Sequence, residues 1–335
     1  MFDFLRTLFT GDETPSFDDV AGLDTAIARI IAGTDPRLKL LPDHRERLAP
    51  AAAAALEHAR ACVAALAAPH RLDREAFARD PLIHACFGSA DDIGRTINED
   101  PTIRDWLTTP HGHAAPALYV LLALTCEERG SFGVQLDNGV LHRDVPQTVV
   151  NFTRPVFLAP AANEAGCREA VVWIVFDYCV QRALERLTEL RERREELETR
   201  YRLHLGKLRA LDRAHRGLGA IAGQGSNDAD RSAAEQELAD IEEQLQAAVA
   251  DTATLDDYLA RIVEVLSDPQ DLITVAHRQL RLDRVGIRLD DPNLPGDDVD
   301  FEEATFAQGL RRVPVLVRIP GVDLEAPAKA KLPEW

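Results

Sequence analysis

Two long runs of apolar side chains at heptad spacing constrain the fold of this chain more than any other feature. The first run alternates steps of four and three residues from Phe176 to Leu211, and nine of its eleven positions are apolar. The second run extends from Leu238 to Leu266, and eight of its nine positions are apolar. Such runs are typical of coiled coils. We therefore predict a long antiparallel helical hairpin, formed roughly by residues 170–213 and 230–267.

The charges of the two predicted helices favour their pairing with each other. Residues 168–216 hold 12 basic and 9 acidic side chains, whereas residues 228–268 hold 2 basic and 12 acidic ones. Two copies of the second helix would repel each other, so a pair of unlike helices is favoured. The glycine-rich connection at 216–229 is flexible enough for the chain to reverse direction. A parallel homodimer zipper is the alternative.

Polar side chains interrupt the first apolar run. Arg194 and His204 occupy positions that face the partner helix, and Tyr201 lies between them. A polar residue at such a position can specify register or recognise a partner. In the other interpretation, Arg194 extends its charged end into water and His204 lies near the frayed tip of the hairpin. The candidate interaction residues are therefore Arg194, Tyr201 and His204, with both interpretations open.

The rest of the sequence predicts a mixed body with a small sheet. Residues 18–128 have the pattern of successive helices, and the last of these is an apolar helix at 115–128. Residues 132–158 have the pattern of strands, with a type I′ turn at Asn138-Gly139. Strand signals return within 269–335. Because neither group of strands alone can bury a core, we expect the later group to join the sheet of the earlier one.

The predicted fold class is therefore mainly α with a small β-sheet (α+β), from which a coiled-coil hairpin projects. The predicted organisation is a body at 1–162, the hairpin at 163–268 with its glycine-rich tip at 216–229, and β segments at 269–335. Those last segments return to the body and end in a loose tail.

Composition argues against two classes of partner and points to a compartment. The formal net charge of −18 opposes non-specific binding to nucleic acid. No run approaches the roughly 18 to 20 apolar residues that a membrane-spanning helix needs. The five cysteines are widely spaced and form no CxxC pattern, so we expect reduced thiols in a cytoplasmic protein. The excess of 34 arginines over four lysines is typical of a GC-rich, bacterial genome.

The N-terminal segment allows two interpretations. Met1, Leu5, Leu8 and Phe9 share one side of a short predicted helix, and Phe2 widens that apolar surface. Such a segment could attach the protein to a membrane interface. The favoured interpretation is a short helix that packs on the protein's own core, because the segment is short and carries one basic residue. The negative net charge also argues against anionic lipid.

The sequence contains few candidates for chemistry. His111 and His113 flank a glycine, and His142 is the next histidine after them along the chain. Because a metal site needs three or four converging ligands, we interpret these histidines as loop residues and predict no cofactor. Cys126 is predicted at the end of a helix, beside two acidic residues that favour the neutral thiol.

The sequence therefore predicts a non-enzymatic protein-interaction or scaffold protein that presents its helical hairpin to a protein partner. The alternative is an enzyme, or a protein that binds a small ligand or metal, with its site in the α+β body. That site would lie near His111, His113, Glu128 and His142, and the hairpin would serve as an oligomerisation arm.

Overall fold

A computed structural model describes residues 19–137, 140–214, 227–250 and 254–321 of the chain. Several sequence predictions lie outside these residues: the N-terminal apolar segment with Met1, Phe2, Leu5, Leu8 and Phe9, the turn at Asn138-Gly139, most of the glycine-rich tip and the C-terminal tail. Within the described part the fold combines helices with one sheet, so the predicted mixed α+β class is confirmed.

Helices occupy most of the described chain. Two early helices precede a series of short ones, and three longer helices follow the first two long strands. In chain order they are α1 (Asp19–Gly33), α2 (His44–Ala64), α3 (Ala76–Arg79), α4 (Pro81–Cys86), α5 (Ala90–Glu99), α6 (Pro101–Leu107), α7 (Pro110–Ala114), α8 (Glu164–Ala214), α9 (Asn227–Ala250) and α10 (Leu255–Ser267). Short 3-10 helices lie at Pro36–Leu40 and Pro269–Asp271.

The strands form a single sheet. They are β1 (His70–Arg71), β2 (Ala117–Asp137), β3 (Val140–Ala161), β4 (Ile273–Leu282), β5 (Asp297–Phe306) and β6 (Arg311–Pro320). The antiparallel order is β3-β2-β6-β5-β4, and β1 pairs in parallel with β6. The C-terminal strands thus reach the earlier ones through the pairing of β6 with β2.

The predicted apolar helix at 115–128 is wrong, because this segment belongs to the long strand β2. Leu118, Val120, Leu122 and Leu124 alternate along one face of the strand and are fully buried. On the other face, Leu121 and Ala123 are buried too, and Tyr119 is half-buried. A strand buried on both faces has a continuous apolar run, which periodicity alone does not distinguish from a buried helix.

The segment 283–289 links the two outer strands of the sheet. Its backbone bonds to β3, where the Val150 N–H donates to the Gly286 carbonyl at 2.8 Å. It also bonds to β4, where the Leu289 N–H donates to the Arg281 carbonyl at 2.8 Å. Although strand signals were expected within 269–335, this segment makes only isolated bridges to β3 and β4. Both outer strands are therefore partly covered over the stretch that this segment reaches.

The second helix of the predicted hairpin is divided in two. The expected continuous helix over 230–267 is instead α9, which ends at Ala250, and α10, which begins at Leu255. Thr254 starts α10 with a capping box, in which its hydroxyl accepts from the Asp257 N–H while the Asp257 carboxylate accepts from the Thr254 N–H. A strong N-terminal cap of this kind competes with a helix that would run through it.

The described residues form two compact units. One comprises residues 56–176 and 269–321, and its core packs the sheet against the short helices α4, α5 and α6. The other comprises residues 19–55 and 177–268. The sequence prediction assigned residues 18–55 to the body, whereas their contacts lie with the later helices. Within this second unit Arg29 on α1 bonds to the largely buried Asp177 of α8 at 2.6 Å.

Candidate functional site

The unit of residues 19–55 and 177–268, here called the helical unit, contains most residues of the predicted hairpin. Side-chain contacts connect α8 with α9 and with α10. The Asp212 carboxylate lies 3.5 Å from Arg231, and the His204 ring lies 3.0 Å from Glu237. Farther back along α8, Arg193 donates to Gln244 at 3.3 Å and Arg191 donates to the Tyr258 hydroxyl at 3.1 Å. Residue numbers along α8 fall while those of the partners rise, which is the order that antiparallel helices produce.

Burial follows the predicted apolar runs. None of the described residues in the two runs is exposed. The most deeply buried members of the stretches beyond Val180 are Ala183, Leu187, Leu197, Ile241, Leu259, Ile262 and Leu266. The apolar faces of α8, α9 and α10 are therefore turned away from water in this unit, which is the main source of stability for packed helices.

The three predicted interaction residues lie on α8 in different surroundings. Arg194 bonds to Glu198 of its own helix at 2.9 Å, so it makes a local ion pair. His204 reaches Glu237 on α9. Tyr201 is half-buried between them. Of the three, His204 has an ion-pair contact with another helix among the described residues, and Arg194 pairs within its own helix.

A cluster around Asp35 was not anticipated from the sequence. Two side-chain nitrogens of Arg37 donate hydrogen bonds to the Asp35 carboxylate, at 3.0 and 2.6 Å. The guanidinium of Arg191 on α8 lies 3.5 Å from the same carboxylate. The Arg191 guanidinium also stacks on the Tyr258 ring, 4.4 Å from its centre. The bonds from Arg37 lower the pKa of Asp35 below its ordinary value, in spite of burial. The cluster thereby fixes the start of α10 against α8.

The metal candidates do not gather into a site among the described side chains. His111 is exposed on the short helix α7, whereas the side chains of His113 and His142 lie outside what the structure describes. The described residues hold no group of three or more His, Cys, Asp or Glu side chains placed to bind a metal ion.

Glu128 belongs to an ion-pair network instead of a ligand site. Arg278 on β4 donates to Glu128 and to Glu303, each at 2.8 Å, and Arg288 lies 3.4 Å from Glu128. The nearby Cys126 lies in a strand, contrary to its predicted place at the end of a helix. Burial raises the pKa of its thiol to about 11, although Arg278 acts in the opposite direction. The neutral thiol is a poor nucleophile.

A second feature that the sequence did not reveal is the pair of His70 and Asp80. The His70 Nδ1 lies 2.6 Å from an Asp80 carboxylate oxygen, and the other carboxylate oxygen accepts the N–H groups of Leu82 and Ile83 at the start of α4. Asp80 has the sequence signal of a helix cap before a proline. Its pairing with His70 depends on β1 docking beside β6, which has no local signal.

The sheet unit contains a cleft of about 340 Å³. It lies where α4, β3 and the segment 283–286 meet. The aromatic side chains of Phe77, Phe87 and Phe152 line its walls. His84, Arg284, Asp283 and Asp297 also line it. The cleft is therefore more polar than the mostly apolar form that small-molecule sites usually have.

Comparison with known proteins leaves the chain without an assigned relative. The sequence matches no family model, and neither the curated proteins nor the solved structures contain a significant match to it. No helix in the described ranges is long and apolar enough to cross a membrane.

Proposed function

We propose that this chain is a non-enzymatic interaction protein whose binding element is an antiparallel helical hairpin, with α8 as one arm and α9 followed by α10 as the other. The unit that contains the sheet serves as its anchor. The contacts in reverse order between α8 and the two later helices are the observation that supports this proposal most strongly.

Surface charge supports a binding role for the distal half of this element. Nearer its start, α8 pairs many of its charges along its own surface, as Arg186 does with Glu189 and Arg193 with Glu196. Farther along, Arg200, Lys207 and Arg209 are exposed and have no ion-pair partner among the described residues. Exposed charges of one sign favour association with a complementary surface.

The arrangement of the helices is tested by crosslinking. The variant His204→Cys/Glu237→Cys places two thiols where the side chains now touch, and a short bismaleimide should join them within one chain. The matched control is His204→Cys/Glu264→Cys, which puts the second thiol on α10, where no contact with His204 is expected. Equal crosslinking of both variants would contradict the hairpin.

The binding role is tested by affinity purification from the native cell. A tagged wild-type chain should retain a protein partner at constant stoichiometry, and Lys207→Glu/Arg209→Glu should lose it. The control variant Arg186→Glu/Glu189→Arg exchanges the members of a local pair and should still bind. If no protein copurifies, or if the same proteins remain bound to the Lys207→Glu/Arg209→Glu chain, the proposed function is wrong.

The cleft in the sheet unit favours a second candidate function, the binding of a small ligand in the α+β unit with the helices as an oligomerisation arm. Its walls combine three phenylalanines with His84 and Arg284. Thermal unfolding with panels of metals and nucleotides, followed by native mass spectrometry, measures this directly. A Phe87→Trp variant, which fills the cleft, serves as the control and should lose any shift.

A further inference from the structure

Four exposed charges lie on one side of the helical pair. On α8, Arg202 follows the half-buried Tyr201, and Arg209 follows the half-buried Leu208. On α9, Glu235 and Glu242 directly follow buried residues, Ala234 and Ile241. Each charged residue is thus displaced by one position, about 100°, from a residue that faces inward.

The antiparallel order of the contacts puts these four residues on the same side. Both helices are right-handed, so in two antiparallel helices that face each other the residue after an inward-facing one turns to the same side of the pair. The contact of His204 with Glu237 lies between the two sets. It places Arg209 within about one helical turn of the level of Glu235, and Arg202 within about one turn of Glu242.

The chain itself leaves most of this complementarity unused. Residues 199–213 of α8 hold five basic and one acidic side chain, and residues 231–249 of α9 hold one basic and five acidic ones. Yet among the described residues, the ion pairs between these two stretches are those of His204 with Glu237 and of Asp212 with Arg231. In the second contact the signs are reversed, since the acid is on α8. Within the described part of the chain, Arg202 and Glu235 make only local pairs, with Glu198 and Arg231.

We infer that a second copy of this chain docks on this side of the helical pair, so that the basic side of α8 in one copy lies on the acidic side of α9 in the other. The inference rests on the proposed hairpin. It names the partner, and it places Arg209 opposite Glu235 and Arg202 opposite Glu242 of the second copy.

A two-fold axis parallel to the helices produces this arrangement twice. Rotation about such an axis brings α8 of each copy over α9 of the other, and it keeps the two copies at the same level along the helices. The like-charged surfaces are then diagonal to each other, as in a four-helix bundle. A second copy fits better than an unrelated acidic protein, because one contact neutralises the basic and the acidic side together.

The basic side of distal α8 is unusual in a chain with a net charge of −18. Two such chains repel each other over most of their surface, so association needs a local patch of the opposite sign. The basic side of distal α8 is such a patch, and the acidic side of α9 is its complement in length and charge. Exposed ion pairs are screened by salt, so the association should weaken as ionic strength rises.

The experiment measures the mass of the full-length chain by light scattering during size exclusion, at low and high salt. We expect about 74 kDa, twice the chain mass of 37.0 kDa, at low salt and a shift toward the monomer at high salt. Arg202→Glu/Arg209→Glu and Glu235→Arg/Glu242→Arg each place like charges opposite each other. Each should raise the dissociation constant at least about tenfold.

Charge exchange distinguishes this interface from any other dimer. Mixing the two double variants should restore the dimer, because the acidic α8 of one chain then meets the basic α9 of the other. The chain with all four substitutions should dimerise with itself. Asp240→Arg/Glu243→Arg, which reverses two exposed charges of α9 that do not lie on this side, is the matched control and should remain dimeric. Circular dichroism confirms that each variant is folded.

Several outcomes would overturn the inference. A wild-type monomer at all concentrations is one, and a dimer that tolerates both double variants is another, since a parallel zipper of apolar seams would behave in that way. Failure of the mixed variants to associate also contradicts it. If self-association fails while crosslinking and partner capture succeed, the proposed function stands and only the identity of the partner is wrong.

Discussion

At the scale of single residues, His70 and Asp80 form the contact most sensitive to pH. The hydrogen bond to Asp80 raises the pKa of His70, against the effect of burial, and Glu302 adds to the increase. Burial alone would raise the pKa of Asp80, but the bond and charge of His70 lower it overall. Both shifts favour the charged forms, so the pair links folding stability to pH.

We predict that His70→Gln destabilises the protein most in mildly acidic solution. Because folding raises its pKa, His70 stabilises the folded state below pH 6.5, its ordinary pKa. This contribution is lost as the pH rises through the pKa that His70 has in the folded protein. The lowered pKa of Asp80 contributes above its ordinary value of 3.8. The free energy of unfolding of the wild type should therefore exceed that of the variant by about 1 to 2 kcal/mol between these two pH values, and by less near pH 9.

Urea unfolding across this pH range measures the difference. His84→Gln is the control, because the His84 ring contacts a backbone carbonyl, that of Phe77, at 3.2 Å. Relative to this control, the loss caused by His70→Gln should be larger in mildly acidic solution. A constant loss for His70→Gln at every pH would show that the ion pair contributes nothing beyond packing.

At the scale of elements, the segment 283–289 decides whether the outer strands of the sheet are joined. Gly286 adopts a positive φ of 82°, and a Cβ atom there would lie 2.8 Å from the Val150 carbonyl oxygen of β3. The backbone N–H of the same residue, Val150, donates a hydrogen bond to the Gly286 carbonyl. A side chain at this position would therefore strain the turn and separate the segment from β3.

We predict that Gly286→Ala lowers the free energy of unfolding by about 2 to 4 kcal/mol, the sum of the left-handed backbone and the collision with β3. Gly309→Ala is the matched control, because Gly309 also has a positive φ, 74°, but no atom lies within 4 Å of its added Cβ. The control should lose only about 1 kcal/mol in the same denaturant titration. Equal losses would show that contact with β3 is unimportant.

At the scale of the whole molecule, the five cysteines report on the integrity of both units. All are free thiols, and Cys62, Cys86, Cys167 and Cys179 are buried, whereas Cys126 is half-buried. Burial raises the pKa of Cys167 to about 12 and that of Cys126 to about 11, so the reactive thiolate is scarce at neutral pH.

We predict that the native chain reacts slowly with an aromatic disulfide reagent at pH 7.5, and that Cys126 reacts first because it is the least buried. All five thiols should react quickly in guanidinium chloride. Rates are followed by absorbance, with glutathione as the reference thiol. Fast reaction of two or more thiols in the native protein would show that the cores of the two units open readily. Cys126→Ser identifies the first site.

The candidate surfaces were partly predictable. The pattern of α8 and α9 indicates which residues face inward, and therefore that Arg202 and Glu242 lie beside an inward-facing row. The sequence could not show that α8 and α9 would not pair these charges with each other, because that depends on how two surfaces meet. Nor could it bring His70 to Asp80, since β1 is too short to have a periodic pattern.

The sequence by itself determined that most of 176–211 and 238–266 is helical and which side of these stretches faces inward, because apolar periodicity acts within a few residues. Only the tertiary structure decided that residues 117–124 form a strand, because a segment that is buried on both faces has no period of its own. Tertiary contacts also join α1 to α8 and place the segment 283–289 between β3 and β4. These contacts link residues that are far apart along the chain, and such links leave no local pattern to read.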